Sequence, residues 1–177
     1  MIRKIVVAHD GSTQAGKALD LAIDLAKAFD AALLVLHVKS SQPLTEGERR
    51  LAETEYQNDL KQAFAGSALL SELGGIPITV EDLIRKSYDV GLEIRNAIGR
   101  GIISNAEQEA RSKQVKSVRN ILADGDPASV ILEVADEEKP DLLVMGSRGL
   151  GGIQRLLTGS VSQKVYNSAG CTVIVVR

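Results

Sequence analysis

The stretch DLLVMGSRGLGGIQRLLTGSV, residues 141–161, holds the most informative pattern in the chain. It opens with a short apolar run typical of a buried strand, passes through a glycine-rich loop, and enters a segment of helical period after Gly159. A loop between such a strand and a helix lies at the carboxyl edge of a parallel sheet, where open α/β folds bind their ligands. The stretch therefore predicts a fold class and the place of a binding site together.

The rest of the chain repeats this alternation of strands and helices. Apolar or β-branched runs predict five strands, at residues 2–8, 32–38, 115–122, 141–145 and 171–176. Apolar residues spaced three or four positions apart predict helices between them, near residues 15–26, 126–138 and 159–169. We therefore predict an α/β domain with a five-stranded, parallel, doubly wound, Rossmann-like sheet.

The segment between the second and third predicted strands is longer than this fold needs. A crossover takes about a dozen residues, whereas this one runs from 40 to 114. Residues 48–73 are polar with a helix-spaced apolar face, and residues 80–110 look helical with a break near Gly99 and Gly101. We predict a single domain over residues 1–177, in which residues 40–114 form an enlarged helical crossover or insertion. The predicted apolar face is Leu51, Tyr56, Leu60, Phe64 and Leu70.

Composition excludes several classes of function. A net charge of −2 on 177 residues does not supply the basic surface that nucleic-acid binding requires. An aromatic content of 3% argues against recognition by ring stacking. The apolar runs are too short to cross a bilayer, no signal peptide is apparent, and Cys171 is the only cysteine. We expect a cytoplasmic protein that binds neither nucleic acid nor membrane.

The glycine-rich loop has the chemistry of a phosphate cradle. Gly146 and Gly149 lack a Cβ, so backbone amides there could approach a phosphate closely. Ser160, next to Gly159, offers a hydroxyl and the amides of a helix N-terminus to an anion. A flexible loop with a serine helix cap explains the same residues, and composition alone leaves both interpretations open.

The spacing of this loop resembles the nucleotide signature of the ATP-binding branch of the universal stress protein family. Gly146, two residues, Gly149, nine residues, Gly159 and Ser160 follow that signature. Four other segments resemble the family in the right order: IVVAHDGS at 5–12, LHV at 36–38, GDP at 125–127 and CTVIVV at 171–176. The resemblance covers about residues 1–40 and 110–177.

The resemblance implies an adenine nucleotide alpha hydrolase-like fold with strand order 3-2-1-4-5 and ATP over the carboxyl ends of the first and fourth strands. It implies that Ala8, Asp10 and Val38 line the adenosine, and that Met145 and Gly146 bracket the ribose and phosphates. Gly149, Gly159, Ser160 and Val161 would complete the phosphate side. It also implies a homodimer built on the last strand, residues 171–176, whose unpaired edge would otherwise stay exposed.

Two charged side chains have a second interpretation each. Asp10 suits ribose hydroxyls or a Mg²⁺ ion held by the phosphates, and it could equally cap the first helix. Arg148 could pair with a phosphate as a charged fork, or could simply be solvated.

Competing motifs are weaker. The segment from Gly11 to Ala18 almost spells a phosphate-binding P-loop, but Ala18 replaces the hydroxyl that should bind Mg²⁺. His9 and His37 have no Cys or Ser partner at motif spacing, so we predict no catalytic and no metal-binding residues.

The sequence therefore predicts an ATP-binding, homodimeric stress-response module that signals nucleotide state to an unidentified protein partner, with hydrolysis slow at most. The alternatives are an ATP-dependent enzyme on the same fold, a slow ATPase or transferase, and a regulatory subunit that no longer binds nucleotide.

Overall fold

Five parallel strands form one sheet in the order β3-β2-β1-β4-β5, as predicted. The computed structural model describes residues 1–40, 44–57, 60, 88–150 and 159–177. Each strand is short and rich in Val, Ile and Leu because the central strands are covered on both faces. The strands are β1 Lys4–Ala8, β2 Ala32–Lys39, β3 Val118–Asp124, β4 Leu142–Gly146 and β5 Thr172–Val176.

Helices cover both faces of this sheet, which is the doubly wound arrangement. In the described ranges they are α1 Thr13–Phe29, α2 Glu46–Thr54, α3 Tyr88–Ser112, α4 Pro127–Glu138 and α5 Ser160–Ser168. Alanines and leucines of α1, with Ala106 and Ala110 of α3, pack on one face. Ala128, Ile131 and Val165, from α4 and α5, pack on the other. No helix in the described part of the chain is long and apolar enough to cross a membrane.

The third strand begins later than the sequence predicts. Val115, taken as its first residue, instead closes the end of α3: its amide donates to the Ala110 carbonyl at 3.0 Å, after Gln114 turns with φ of 67°. The Gln114 amide donates to the Arg111 carbonyl at 2.9 Å, completing a Schellman motif. Val115 is buried as the apolar contact of that motif, so its hydrophobicity serves a helix end.

The predicted break in the crossover near Gly99 and Gly101 is wrong, because α3 continues through both glycines. A glycine costs a helix roughly 1 kcal/mol relative to alanine. Here close packing requires it: a Cβ at Gly101 would overlap the ring of Tyr56, and one at Gly99 would lie 3.1 Å from Cδ2 of His37. Tertiary contacts therefore explain both residues.

The crossover has its own small core between α2 and α3. Leu51, Tyr56 and Leu60 are buried there, as the predicted apolar face requires, against Ile94 and Ile98 of α3. Phe64 and Leu70, the other members of that face, lie outside the described residues.

We predict that Gly101→Ala destabilises the protein by about 1–3 kcal/mol, because the added methyl group collides with the buried Tyr56 ring. Gly16→Ala is the matched control. Nothing lies within 4 Å of a Cβ there and the residue is inside α1, so it should stabilise by about 0.5–1 kcal/mol. Urea unfolding of both variants measures the difference. A Gly101→Ala protein as stable as wild type would contradict the packing argument.

Candidate functional site

The loops after β1, β2 and β4 meet at one edge of the sheet. Ala8 at the end of β1 is level with Leu36 on one side and Met145 on the other. The chain proceeds from β1 toward β3 in one direction and from β4 to β5 in the other, so the strand order reverses between β1 and β4. A crevice forms at such a reversal, and a cavity of about 380 Å³ opens there.

The structure brings together every site residue that the sequence predicts. All ten line this one cavity: Ala8, Asp10, Val38, Met145, Gly146, Arg148, Gly149, Gly159, Ser160 and Val161. They come from four separate elements and their loops, spread over the whole chain. Their convergence follows from the sheet order, which brings the ends of β1, β2 and β4 to one edge beside the start of α5.

The Asp10 carboxylate ties two of these loops together. Its Oδ1 accepts a hydrogen bond from the Ser12 amide at 3.0 Å, and its Oδ2 accepts one from the Leu150 amide at 2.9 Å. The cap of α1 is Ser12, whose hydroxyl oxygen accepts from the Ala15 amide at 3.2 Å. Asp10 is therefore not the helix cap itself. It holds the loop after β1 against the glycine-rich loop after β4.

Gly146 and Gly149 are also required by the packing of the protein, because other residues lie where their side chains would be. A Cβ at Gly149 would overlap Oδ2 of Asp10, and one at Gly146 would lie 2.9 Å from the backbone nitrogen of Ala15. The absence of a side chain thus allows the Asp10 contact and the close approach of α1. The sequence argument gave these glycines to phosphate contact alone, and the structure adds this second requirement.

The N-terminus of α5 faces the cavity without a side-chain cap. Gly159 is the N-cap residue and Ser160 is the first helical residue, so the alternative interpretation of Ser160 as the cap is wrong. The Gly159 amide donates to the Ser147 carbonyl at 2.7 Å, and the Ser162 hydroxyl donates to the same carbonyl at 3.0 Å. These bonds fix the helix end beside the glycine-rich loop, with its positive dipole end toward the cavity.

One wall of the cavity comes from the crossover, and the sequence argument missed it. Thr45 and Glu48 form a capping box at the start of α2, with Glu48 Oε2 accepting from the Thr45 amide at 2.6 Å. Glu48 Oε1 accepts from Nε of Arg95 at 3.2 Å, and both side chains line the cavity. The Thr-x-x-Glu spacing at residues 45–48 is typical of a capping box and could have predicted the start of α2. The pairing with Arg95, 47 residues away, had no local signal.

Two histidines also line the cavity, of which His37 is buried and His9 is half-buried. The ring Nδ1 of His37 lies 2.8 Å from the carbonyl oxygen of His9, while the Nδ1 of His9 accepts from the Gly11 amide at 3.0 Å. Burial lowers the pKa of both imidazoles below the ordinary value, and Asp10 opposes that shift in each. Burial therefore favours the neutral form of both rings.

The segment 11–18, which resembles a P-loop in sequence, does not have the arrangement of a P-loop in the structure. Residues from Thr13 onward are already helical. The Lys17 ammonium donates to the carbonyl of Arg177, the last residue, at 3.3 Å. Within the described ranges, no cluster of three His, Cys, Asp or Glu side chains could hold a metal ion.

Comparison with known proteins gives one consistent answer. A family model described as the Universal stress protein family matches residues 1–177. Universal stress protein YxiE of Bacillus subtilis (strain 168) is 36% identical over 180 aligned residues, which cover 100% of both chains.

Solved structures of similar fold come from the same family. The universal stress protein UspA from Lactobacillus plantarum has a TM-score of 0.68 at 22% identity, covering 99% of this chain and 98% of that one. A universal stress protein in complex with cAMP has 0.62 at 24%, covering 99% and 97%. A family protein from Arabidopsis thaliana with AMP bound has 0.56 at 20%, covering 98% and 90%. By its sequence, this chain belongs to the universal stress protein family.

Proposed function

We propose that the cavity binds an adenine nucleotide, ATP with Mg²⁺, and that the protein signals nucleotide state in a stress response. The observation that carries this proposal is the convergence of all ten predicted residues on one cavity at the switch point of the sheet. Two similar structures, those with cAMP and AMP, hold adenine nucleotides. Both ligands contain adenosine and differ in their phosphates. The choice of ATP among the adenine nucleotides is therefore our own proposal.

The chemistry of the cavity suits a nucleotide. Ala8, Val38 and Met145 give an aliphatic surface for a base in a protein poor in aromatic residues. Arg148 and the uncapped N-terminus of α5 give a positive end for phosphates. Asp10 lines the cavity as a carboxylate that would accept from ribose hydroxyls or hold a nucleotide-bound Mg²⁺ through lone pairs not taken by Ser12 and Leu150.

We propose slow hydrolysis at most, because the acids that line the cavity are already held. Asp10 accepts from two backbone amides, and Glu48 accepts from Thr45 and Arg95. A general base must lie within hydrogen-bond reach of the attacking water, and we assign the lone pairs left on Asp10 to the ribose or to Mg²⁺ rather than to a water. The competing hypotheses are an ATP-dependent enzyme, either a slow ATPase or a transferase, and a regulatory subunit without nucleotide.

The crossover supports our proposal that residues 1–177 make one domain. Residues of α2 and α3 line the same cavity as the strand ends, so the enlarged segment 40–114 contributes to the site. The aligned length of YxiE, 180 residues, agrees with this view.

We predict that Ser160→Asp lowers the affinity for ATP at least about tenfold, because a carboxylate at the start of α5 repels phosphate. The same charge favours the helix N-terminus by about 0.3–1 kcal/mol, so the variant should melt no earlier than wild type. Ser168→Asp, at the exposed other end of α5, is the matched control and should bind like wild type. Calorimetry at low salt measures the ATP affinity of both variants. Unchanged ATP affinity in Ser160→Asp would contradict the placement of the phosphates.

We predict that purified protein binds ATP and turns it over less than about once per minute, well below the roughly one per second at the low end for enzymes. Calorimetry with ATP and Mg²⁺ and a phosphate-release assay test the two parts separately. Multiple turnovers per minute without a partner would favour the enzyme hypothesis. Absence of heat and of thermal stabilisation at millimolar ATP would favour the regulatory subunit without nucleotide.

We also propose a homodimer through β5, which within the described residues pairs with β4 on one side only. A chain-terminal edge strand of sequence TVIVV leaves unpaired backbone groups that a second copy would satisfy. Light scattering at micromolar concentration should give twice the 18.9 kDa of one chain. A value of one chain mass would count against the dimer.

A further inference from the structure

The ring of His37 has one nitrogen committed to the fold and one facing the cavity. Nδ1 lies 2.8 Å from the carbonyl oxygen of His9. A carbonyl oxygen can only accept, so Nδ1 carries the proton. In a neutral imidazole the other nitrogen, Nε2, is then a bare acceptor.

The position of Nε2 follows from the surroundings of the ring. His37 is 8% exposed and lines the cavity. The Cδ2 edge rests on Gly99 of α3, and the Nδ1 edge faces His9. Within the described residues, Asn120 Oδ1 is the buried side-chain polar atom that lacks both a hydrogen-bond partner and open space. Nε2 of His37 makes no hydrogen bond there and is not among the enclosed atoms, and since His37 lines the cavity, we infer that Nε2 faces it.

An acceptor such as Nε2 costs free energy in a buried ring unless it receives a hydrogen bond. A polar atom in a largely buried ring loses hydration, and a ligand donor would restore the lost hydrogen bond. Burial also lowers the pKa of His37, so Nε2 stays an acceptor at neutral pH. The hydrogen bond to the His9 carbonyl opposes this shift, as do Asp10 and Glu48, and Lys39 adds to it.

We propose that His37 determines base specificity, its Nε2 accepting a hydrogen bond from the exocyclic amino group of adenine. This inference rests on the proposed function and names the group that the site reads. Adenine presents an N6 donor, whereas guanine and hypoxanthine present an oxygen acceptor at the same position. A bare acceptor in a buried wall rejects a ligand that cannot donate to it.

A purely structural His37 needs only the donor to the His9 carbonyl. His37→Asn keeps an N–H donor near the position of Nδ1 and removes the acceptor at Nε2. The variant therefore separates the contact with the protein from the contact with the ligand. Thermal melting in the absence of nucleotide reports whether it folds.

The experiment is a cycle of two proteins and two nucleotides measured by calorimetry. The nucleotides are ATP and purine riboside triphosphate, which has hydrogen in place of the amino group. Wild type should bind ATP about tenfold more tightly, the difference expected for one hydrogen bond. His37→Asn should bind both alike. The same ATP preference in His37→Asn as in wild type would overturn the proposal.

A second measurement needs no variant. The chain has two histidines, and their opposite tautomers distinguish them in ¹⁵N spectra: Nδ1–H in His37, and Nε2–H in His9, whose Nδ1 accepts from Gly11. The Nε2 resonance of His37 should move toward a hydrogen-bonded acceptor with ATP and stay near its free position with purine riboside triphosphate. An unmoved resonance at saturating ATP overturns the inference and leaves the proposed function standing. No heat with either nucleotide overturns both.

Discussion

The Asp10 carboxylate is the contact on which the geometry of the binding edge depends. Parallel pairing makes the ends of β1 and β4 level, but it does not fix the loops that follow them. One oxygen of Asp10 holds the Ser12 amide and the other holds the Leu150 amide. The Ser12 hydroxyl adds a weaker link by donating to the Arg148 carbonyl at 3.3 Å. A short acidic side chain therefore links the two loops at the cavity, and Gly149 leaves the space for it.

The same loop connects the sheet edge to the crossover. Leu150, whose amide Asp10 holds, packs its side chain against the small core between α2 and α3. Gly47 in α2 allows this approach, because a Cβ there would lie 2.9 Å from Cβ of Leu150. Gly11, with φ of +85°, brings the loop after β1 against Leu51 in that core. The start of the glycine-rich loop and α2 are therefore in direct packing contact through Leu150.

The sheet and its binding edge could be predicted from local sequence patterns. Features that depend on contacts between residues distant in the sequence could not. The strands are readable because their apolar runs are continuous, and the site residues are readable because parallel strands end at one edge. α3 was not readable through Gly101, since the Tyr56 ring that needs the space lies 45 positions earlier. Val115 was misassigned because a helix-end contact and a strand start require the same residue type. The Glu48–Arg95 wall of the cavity is a pairing that no local spacing encodes.

Charges of different kinds lie on the two sides of the cavity, and under the proposed function this distribution favours one orientation of the nucleotide. On the crossover side, Arg95 is paired with Glu48, and Lys39 with Asp124 at 2.9 Å. Paired charges and neutral imidazoles make that wall polar with little net field, which suits an uncharged base. On the other side, Arg148 and the N-terminus of α5 have no carboxylate beside them among the described lining residues apart from Asp10, which two amides already hold. Under the proposed function the phosphates would therefore lie on the side of Arg148 and the N-terminus of α5, where the field is positive.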